Sequence, residues 1–260
     1  MTVELTYQES GHGTPLVLLH AFPLSSAMWA AQHWLLADTC RLITPDQRGW
    51  GDSPLGDEDP SMDVLVDDLA LLLDDLKLDR VVLGGLSMGG YVTMAFLRRY
   101  PERVSGLVLA NTKASADHEG AAANRVRIAH ALEHTGSAET LVENVFGNLL
   151  GPTTRSARPA VADAVKAAIL AAPPRAAAWA QYAMAGRVDS FDVLRAANVP
   201  ALVISGEEDP LITDRDVAAM AEALPDARVV EIPHAGHLTA IEDPTAFDGA
   251  VRTLLARISD

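Results

Sequence analysis

The stretch "GGLSMGG" occupies residues 84–90, directly after the apolar run "RVVL" at 80–83 and before "YVTMAFLRRY" at 91–100. An apolar run ending in glycines and resuming with helical spacing predicts a buried strand, a tight turn and a helix. Within it, "GLSMG" (85–89) matches G-x-S-x-G, in which a serine sits on a strained strand-to-helix turn. Small neighbours let the two backbones approach, and the N–H groups that open the helix favour negative charge beside the hydroxyl. Gly85 and Gly89 belong to that turn, with Gly84 and Gly90 expected at close strand–helix contacts. A glycine-rich strand–helix turn also cradles phosphates. A P-loop needs Lys after its last Gly, however, and Tyr91 stands there. The dinucleotide pattern G-x-G-x-x-G has a different spacing and belongs on a first strand.

A hydroxyl is a weak nucleophile and needs a base. The candidate is His237 in "PHAGHLTAIEDP" (233–244), a loop ahead of the final helical segment, where "LTAIEDP" can dock it. His234 competes from three residues earlier. The base in turn needs a carboxylate to orient it. Asp209 in "SGEEDPL" (205–211) is the candidate, with Glu207 and Glu208 as solvated or structural members of the same turn. The order Ser87, Asp209, His237, each after a strand-like run, is the α/β-hydrolase order. The loop "HAFPLS" (20–25) follows the run "PLVLLH" (15–20). It places the N–H of Phe22, with that of Met88, as the two oxyanion donors. His20 is expected to shape this loop through backbone hydrogen bonds and not to act as a base. Phe22, Met88, His20 and Trp50 are the candidate pocket residues.

The remaining chain sets these pieces in order. Strand-like runs at 3–9, 15–20, 40–46, 80–87, 104–111, 199–210 and 227–233 alternate with helical patterns at 27–37, 61–77, 88–100, 215–225 and 243–258. That rhythm predicts βαβ units, hence an α/β fold with a mostly parallel central sheet and helices on both faces. Residues 113–195 break it: they are Ala-rich, contain no convincing strand, and are punctuated by Pro152, Pro159, Pro173 and Pro174. The expected organisation is a core of 1–112 and 196–260 with an all-helical cap inserted at 113–195.

Composition narrows the partners. The formal charge is −15, from 35 acidic and 20 basic residues, which opposes nucleic acid and anionic membrane surfaces. No apolar run approaches a bilayer span, and "MTVELTYQES" (1–10) lacks the pattern of a signal peptide. Cys40 is the sole cysteine, so a cytoplasmic setting is expected, with Cys40 in a structural role. His130 and His134 share an i,i+4 face, but no carboxylate or thiolate completes a metal set; no metal site is predicted.

Together, "HAFPLS" (20–25), "PDQRGWGDSP" (45–54), "GLSMGG" (85–90), "SGEEDP" (205–210) and "HAGHLTAIEDP" (234–244) resemble the α/β-hydrolases of the esterase and 3-oxoadipate enol-lactonase-like group. The resemblance spans the core, and the helical insert corresponds in position to the family's cap. It implies a serine hydrolase without metal or organic cofactor, acting on a small ester or lactone. Enol-lactonase, meta-cleavage C–C hydrolase and perhydrolase activities are the enzymatic rivals; a non-catalytic small-ligand receptor is the rival of another class. A carboxylate-bearing substrate would call for a cation in the cap, where Arg125, Arg127, Arg155, Arg158, Arg175 and Arg187 are available. Ala21 departs from the Gly usual in relatives and requires that this residue avoid positive φ.

Overall fold

The computed structural model describes residues 1–259. Seven strands form one sheet: β1 (Tyr7–Gly11), β2 (Pro15–Leu19), β3 (Arg41–Pro45), β4 (Val81–Leu86), β5 (Val104–Ala110), β6 (Ala201–Gly206) and β7 (Ala227–Ile232). Their spatial order is β1-β3-β2-β4-β5-β6-β7. Only β1 runs antiparallel, paired with β3; every other neighbouring pair is parallel. The central strand β4 is buried along its whole length, as expected where helices cover both faces of a parallel sheet.

The core helices are α1 (Ala30–Leu35), α2 (Met62–Asp75) and α3 (Met88–Arg99) before the insert. After it come α10 (Asp214–Ala223), the short α11 (Thr239–Glu242) and α12 (Pro244–Ser259). Ser61 caps α2 by accepting from the Asp63 N–H, satisfying one of the orphan donors of the first turn. Alternation along the strands puts α3 and α12 on opposite faces of the sheet. A Cβ on Gly85 would strike Gly89 of α3, whereas one on Gly106 would strike Ile258 of α12. Gly84 corrects one expectation. Its missing Cβ would meet Val108 and Leu18 of the adjacent strands, so this glycine permits close strand packing and not a strand–helix contact.

Several boundaries differ from the sequence reading, most visibly in the first strand and the first helix. The first strand begins at Tyr7 and not Val3. The residues before it are held by side chains: Val3 N–H donates to Asp68 Oδ1 and Thr6 N–H to Ser53 Oγ. A buried ion pair anchors that region, with Arg48 Nε 2.7 Å from Asp68 Oδ2 and Arg48 Nη2 donating to the Met1 carbonyl. The helical pattern at 27–37 is a 3₁₀ turn (Ser26–Trp29) followed by α1.

Six helices lie between β5 and β6: α4 (Glu119–Thr135), α5 (Glu139–Val145), α6 (Pro152–Ala157), α7 (Pro159–Leu170), α8 (Pro174–Ala185) and α9 (Phe191–Arg195). Prolines open α6, α7 and α8 at the first turn, where the missing N–H costs nothing. Helix α4 packs along α8, whereas α9 rests on α3 and α10. Among the described residues no helix is long and apolar enough to cross a membrane.

Candidate active site

Ser87 joins β4 to α3 with φ 56° and ψ −111°, a conformation that costs a non-glycine residue roughly 1–3 kcal/mol. Its surroundings hold it there. The Ser87 N–H donates to the Ala110 carbonyl at 2.9 Å, and its own carbonyl accepts from Gly90 N–H and Thr112 Oγ1. Side chains at Gly85 and Gly89 would run into Gly89 and the Leu19 carbonyl respectively. The two glycines therefore permit the approach of α3 to the sheet that sets Ser87 at its carboxyl edge.

The carboxylate and the imidazole meet through two further glycines. A Cβ on Gly206 would strike the carbonyls of Gly236 and Ala235, so the loops after β6 and β7 are in backbone contact. Glu208 N–H donates to the Ala235 carbonyl across the same seam. His237 Nδ1 consequently lies 2.8 Å from Asp209 Oδ2, with both side chains buried. Asp209 Oδ1 accepts from the N–H groups of Leu211 and Ile212 at 2.8 and 3.3 Å. Burial pushes the Asp209 carboxyl up, but His237, Asn111 and the Leu211 N–H outweigh it. The carboxyl is held below the usual range and stays ionised at neutral pH.

His234 is elsewhere. Its side chain is 72% exposed and lies 3.5 Å from Glu207, while its N–H also donates to Glu207. Glu208 reaches in the other direction, accepting from the N–H and hydroxyl of Thr153 in α6. Glu207 and Glu208 thus shape the turn and tie it to the insert.

Ser87, His237 and Phe22 line one cavity of about 260 Å³, closed by Tyr91, Lys113, Asp117, Arg125, Gln181 and Leu211, among others. Among the described residues neither the Phe22 N–H nor the Met88 N–H has an acceptor. Ala21 is not among the residues with positive φ, so its methyl group is accommodated. His20, Met88 and Trp50 are buried and do not line the cavity. Trp50 meets Phe22 and His20 edge-on, with ring centroids 5.8 and 5.7 Å apart. His20 Nε2 accepts from the Gln47 N–H at 3.0 Å, and its Nδ1 lies 3.1 Å from the Ala21 carbonyl. That pattern fixes the Nδ1–H tautomer. Burial pushes the His20 imidazole down to about 4, so it is neutral and shapes the loop.

Sequence reasoning missed three contributors. Asn111, just past β5, donates from Nδ2 to Asp209 Oδ2; a polar residue at a strand's carboxyl end was the available signal. Glu242 is buried and accepts from Gly151 N–H and Leu238 N–H, clamping the His237 loop to the insert; no local pattern announces this. Lys113 lines the cavity with Arg125. Of the other arginines, Arg127 bonds Asn124 and Asn144, Arg155 the Gly147 carbonyl, Arg158 Thr154 and the Glu242 carbonyl, and Arg187 stacks over Tyr91. Arg175 lies at a separate surface cavity. His130 meets Tyr182 edge-on. Among the described residues no group of three or more His, Cys, Asp or Glu side chains is arranged to hold a metal ion.

Residues 14–244 match the model of the alpha/beta hydrolase fold family. The structure superposes on a thermophilic esterase from Thermogutta terrifontis, malate bound, with TM-score 0.96 and 39% identity over 99% of this chain and 95% of that one. The sequence is 26% identical to 3-oxoadipate enol-lactonase 2 of Acinetobacter baylyi, over 99% of this chain and 95% of the relative. It is 28% identical to 2-hydroxymuconate semialdehyde hydrolase of Pseudomonas sp. strain CF600, over 98% and 91%. With a mostly parallel sheet, a serine on the strained turn after β4 and a match across nearly its whole length, this chain belongs to the alpha/beta hydrolase fold family.

Proposed function

We propose that this protein is a serine hydrolase that cleaves a small carboxylic ester or lactone through an acyl-enzyme. The observation that carries the reading is the Asp209–His237 pair, 2.8 Å apart, whose imidazole lines one cavity with Ser87 on its strained turn. Ser87 Oγ attacks the substrate carbonyl as its proton passes to His237 Nε2. Asp209 holds the opposite ring nitrogen and stabilises the imidazolium. The N–H groups of Phe22 and Met88 receive the developing oxyanion. The leaving oxygen takes the proton from His237, and the C–O bond breaks to leave the acyl group on Ser87. Water, activated by His237, then releases the carboxylic acid and restores the hydroxyl.

The cavity of about 260 Å³ falls at the small end of ligand pockets, which supports a compact substrate. Residues 113–195 act as the cap over it, although the packing of α9 on α3 and α10 favours ending the cap before Ser190. A net charge of −15 speaks against a nucleic-acid partner, and the single buried Cys40 suits a reducing, cytoplasmic setting.

A panel of p-nitrophenyl esters of increasing acyl length, run beside Ser87→Ala, tests the reading. Turnover of the shorter esters by the wild type and none by the variant is the expected result. No turnover together with no covalent labelling of Ser87 by a phosphonate or sulfonyl fluoride would leave a non-catalytic ligand-binding protein as the better account.

A further inference from the structure

In a chain of net charge −15, one wall of the substrate cavity runs against the overall balance. Asp117, with its side chain 1% exposed, is surrounded by three cations. Arg125 Nε and Arg187 Nη1 lie 2.5 and 2.8 Å from its Oδ2, and Lys113 Nζ is 3.9 Å from its Oδ1. Burial pushes the Asp117 carboxyl up, but the two arginines bring it below the usual range, so it is ionised and the cluster keeps an excess of two positive charges.

The three cations are not equally committed. Arg187 donates to the Ser115 and Met184 carbonyls and lies 4.1 Å from the centre of the Tyr91 ring. Arg125 is shared between Asp117, Gln181 and Met184 Sδ. Lys113 is too far from Asp117 for a hydrogen bond, and among the described residues Asp117 Oδ1 has no hydrogen-bond partner. Its ammonium thus keeps its donors while lining the same cavity as Ser87 and His237. Lys113 also borders an adjoining cavity of about 130 Å³, whose other charged linings are Arg98, Arg187 and Asp63. A buried or half-buried cation without an acceptor is costly, and an anion brought by the ligand relieves that cost through a charge-assisted hydrogen bond.

We infer that the cavity selects substrates carrying a second carboxylate, which Lys113 receives, with Arg125 supporting the local field. The inference rests on the assignment of this cavity as the substrate site, and it names the chemical class of that substrate. Asp117 serves as the positioning residue: it neutralises enough charge to keep Arg125 and Arg187 together while leaving Lys113 uncommitted.

Binding in the Ser87→Ala background separates recognition from turnover. Mono-methyl esters of dicarboxylic acids from malonate to adipate would be titrated calorimetrically against the matching methyl ester amides. Acetyl esters of hydroxy acids form a second arm, placing the carboxylate on the alcohol side. At least one acid should bind tenfold or more tightly than its neutral amide. That preference should shrink in 0.5 M NaCl, fall to within twofold in Ser87→Ala/Lys113→Met, and return in Ser87→Ala/Lys113→Arg. Equal affinity for acids and amides in both arms overturns the inference, as does a preference that survives Lys113→Met. The acid–amide comparison in Ser87→Ala needs no change in the insert, so misfolding of the lysine variant cannot mask the answer. Failure of the hydrolase reading is registered separately, by the absence both of wild-type turnover of p-nitrophenyl butanoate and of covalent labelling of Ser87.

Discussion

Asn111 Nδ2 lies 2.9 Å from Asp209 Oδ2, the same oxygen that meets His237 Nδ1 at 2.8 Å. One carboxylate oxygen thus serves two donors from two different loops. Asn111 is itself pinned, because Thr239 Oγ1 donates to its Oδ1 at 2.6 Å and it occupies φ 44°. The amide therefore aims Asp209 from a position that few residue types tolerate.

The first prediction follows from that contact. Asn111→Asp keeps a residue that accepts positive φ but sets a second carboxylate beside Asp209. Asn111→Gly removes the donor without backbone strain. Both should lower kcat about 10- to 100-fold, with the aspartate variant the worse. Each should also cost about 1–3 kcal/mol of stability through an unsatisfied buried group. Steady-state kinetics with thermal unfolding would decide, and activity within twofold of wild type in both variants would remove Asn111 from the site.

His237 and His234 offer a sharp contrast three residues apart. His237→Ala should lose roughly 10³-fold or more in kcat, the scale expected when a triad base is removed. His234→Ala should stay within about threefold, since its side chain is 72% exposed. Equal losses in the two variants would count against the base assignment.

Glu242 tests whether the insert steadies the chemistry. Its two oxygens hold Gly151 and Leu238 at 2.9 and 3.1 Å, one on each side of the seam between the insert and the His237 loop. Glu242→Ala should destabilise the fold by about 1–3 kcal/mol and reduce kcat more than it changes KM. A change in KM alone would show that the seam shapes binding and not His237.

Two buried groups should oppose each other in the pH dependence of stability. His20 titrates near 4 when folded, against 6.5 as a free side chain. Between those values the unfolded chain holds a proton that the folded one refuses, so stability rises with pH. Asp248 is pushed by burial up to about 7 from 3.8. Among the described residues its oxygens have no hydrogen-bond partner, nor does Oε1 of nearby Gln32, an acceptor that a protonated carboxyl can meet. The folded state keeps this proton after the unfolded chain has lost it, so stability falls as pH rises from about 4 to 7. Asp248→Asn should raise stability at pH 8 by an amount on the order of 2 kcal/mol and leave the His20 slope exposed between pH 4 and 6.5. Chemical denaturation across that range would show it, and an unchanged profile would contradict the buried-acid assignment.

Much of this protein was legible before any coordinates. Glycine spacing around Ser87 predicts the turn because only small residues fit where α3 approaches the sheet. The alternation of apolar runs with helical spacing predicts the parallel sheet, since each periodicity belongs to one backbone geometry. Chain order singles out Asp209 and His237 as the candidate carboxylate and base. Tertiary structure decided what depends on residues far apart in sequence. Contact between Gly206 and Gly236 brings the two loops together, and the Asn111 donor completes the carboxylate's shell from a third strand end. His20 and Trp50 withdraw behind Phe22 because burial and hydrogen bonding outweigh any exposure their loop positions suggested. Lys113 and Arg125 are 12 residues apart in sequence, and a charge's worth depends on the dielectric and partners around it. Local sequence records neither of these; only packing assembles them.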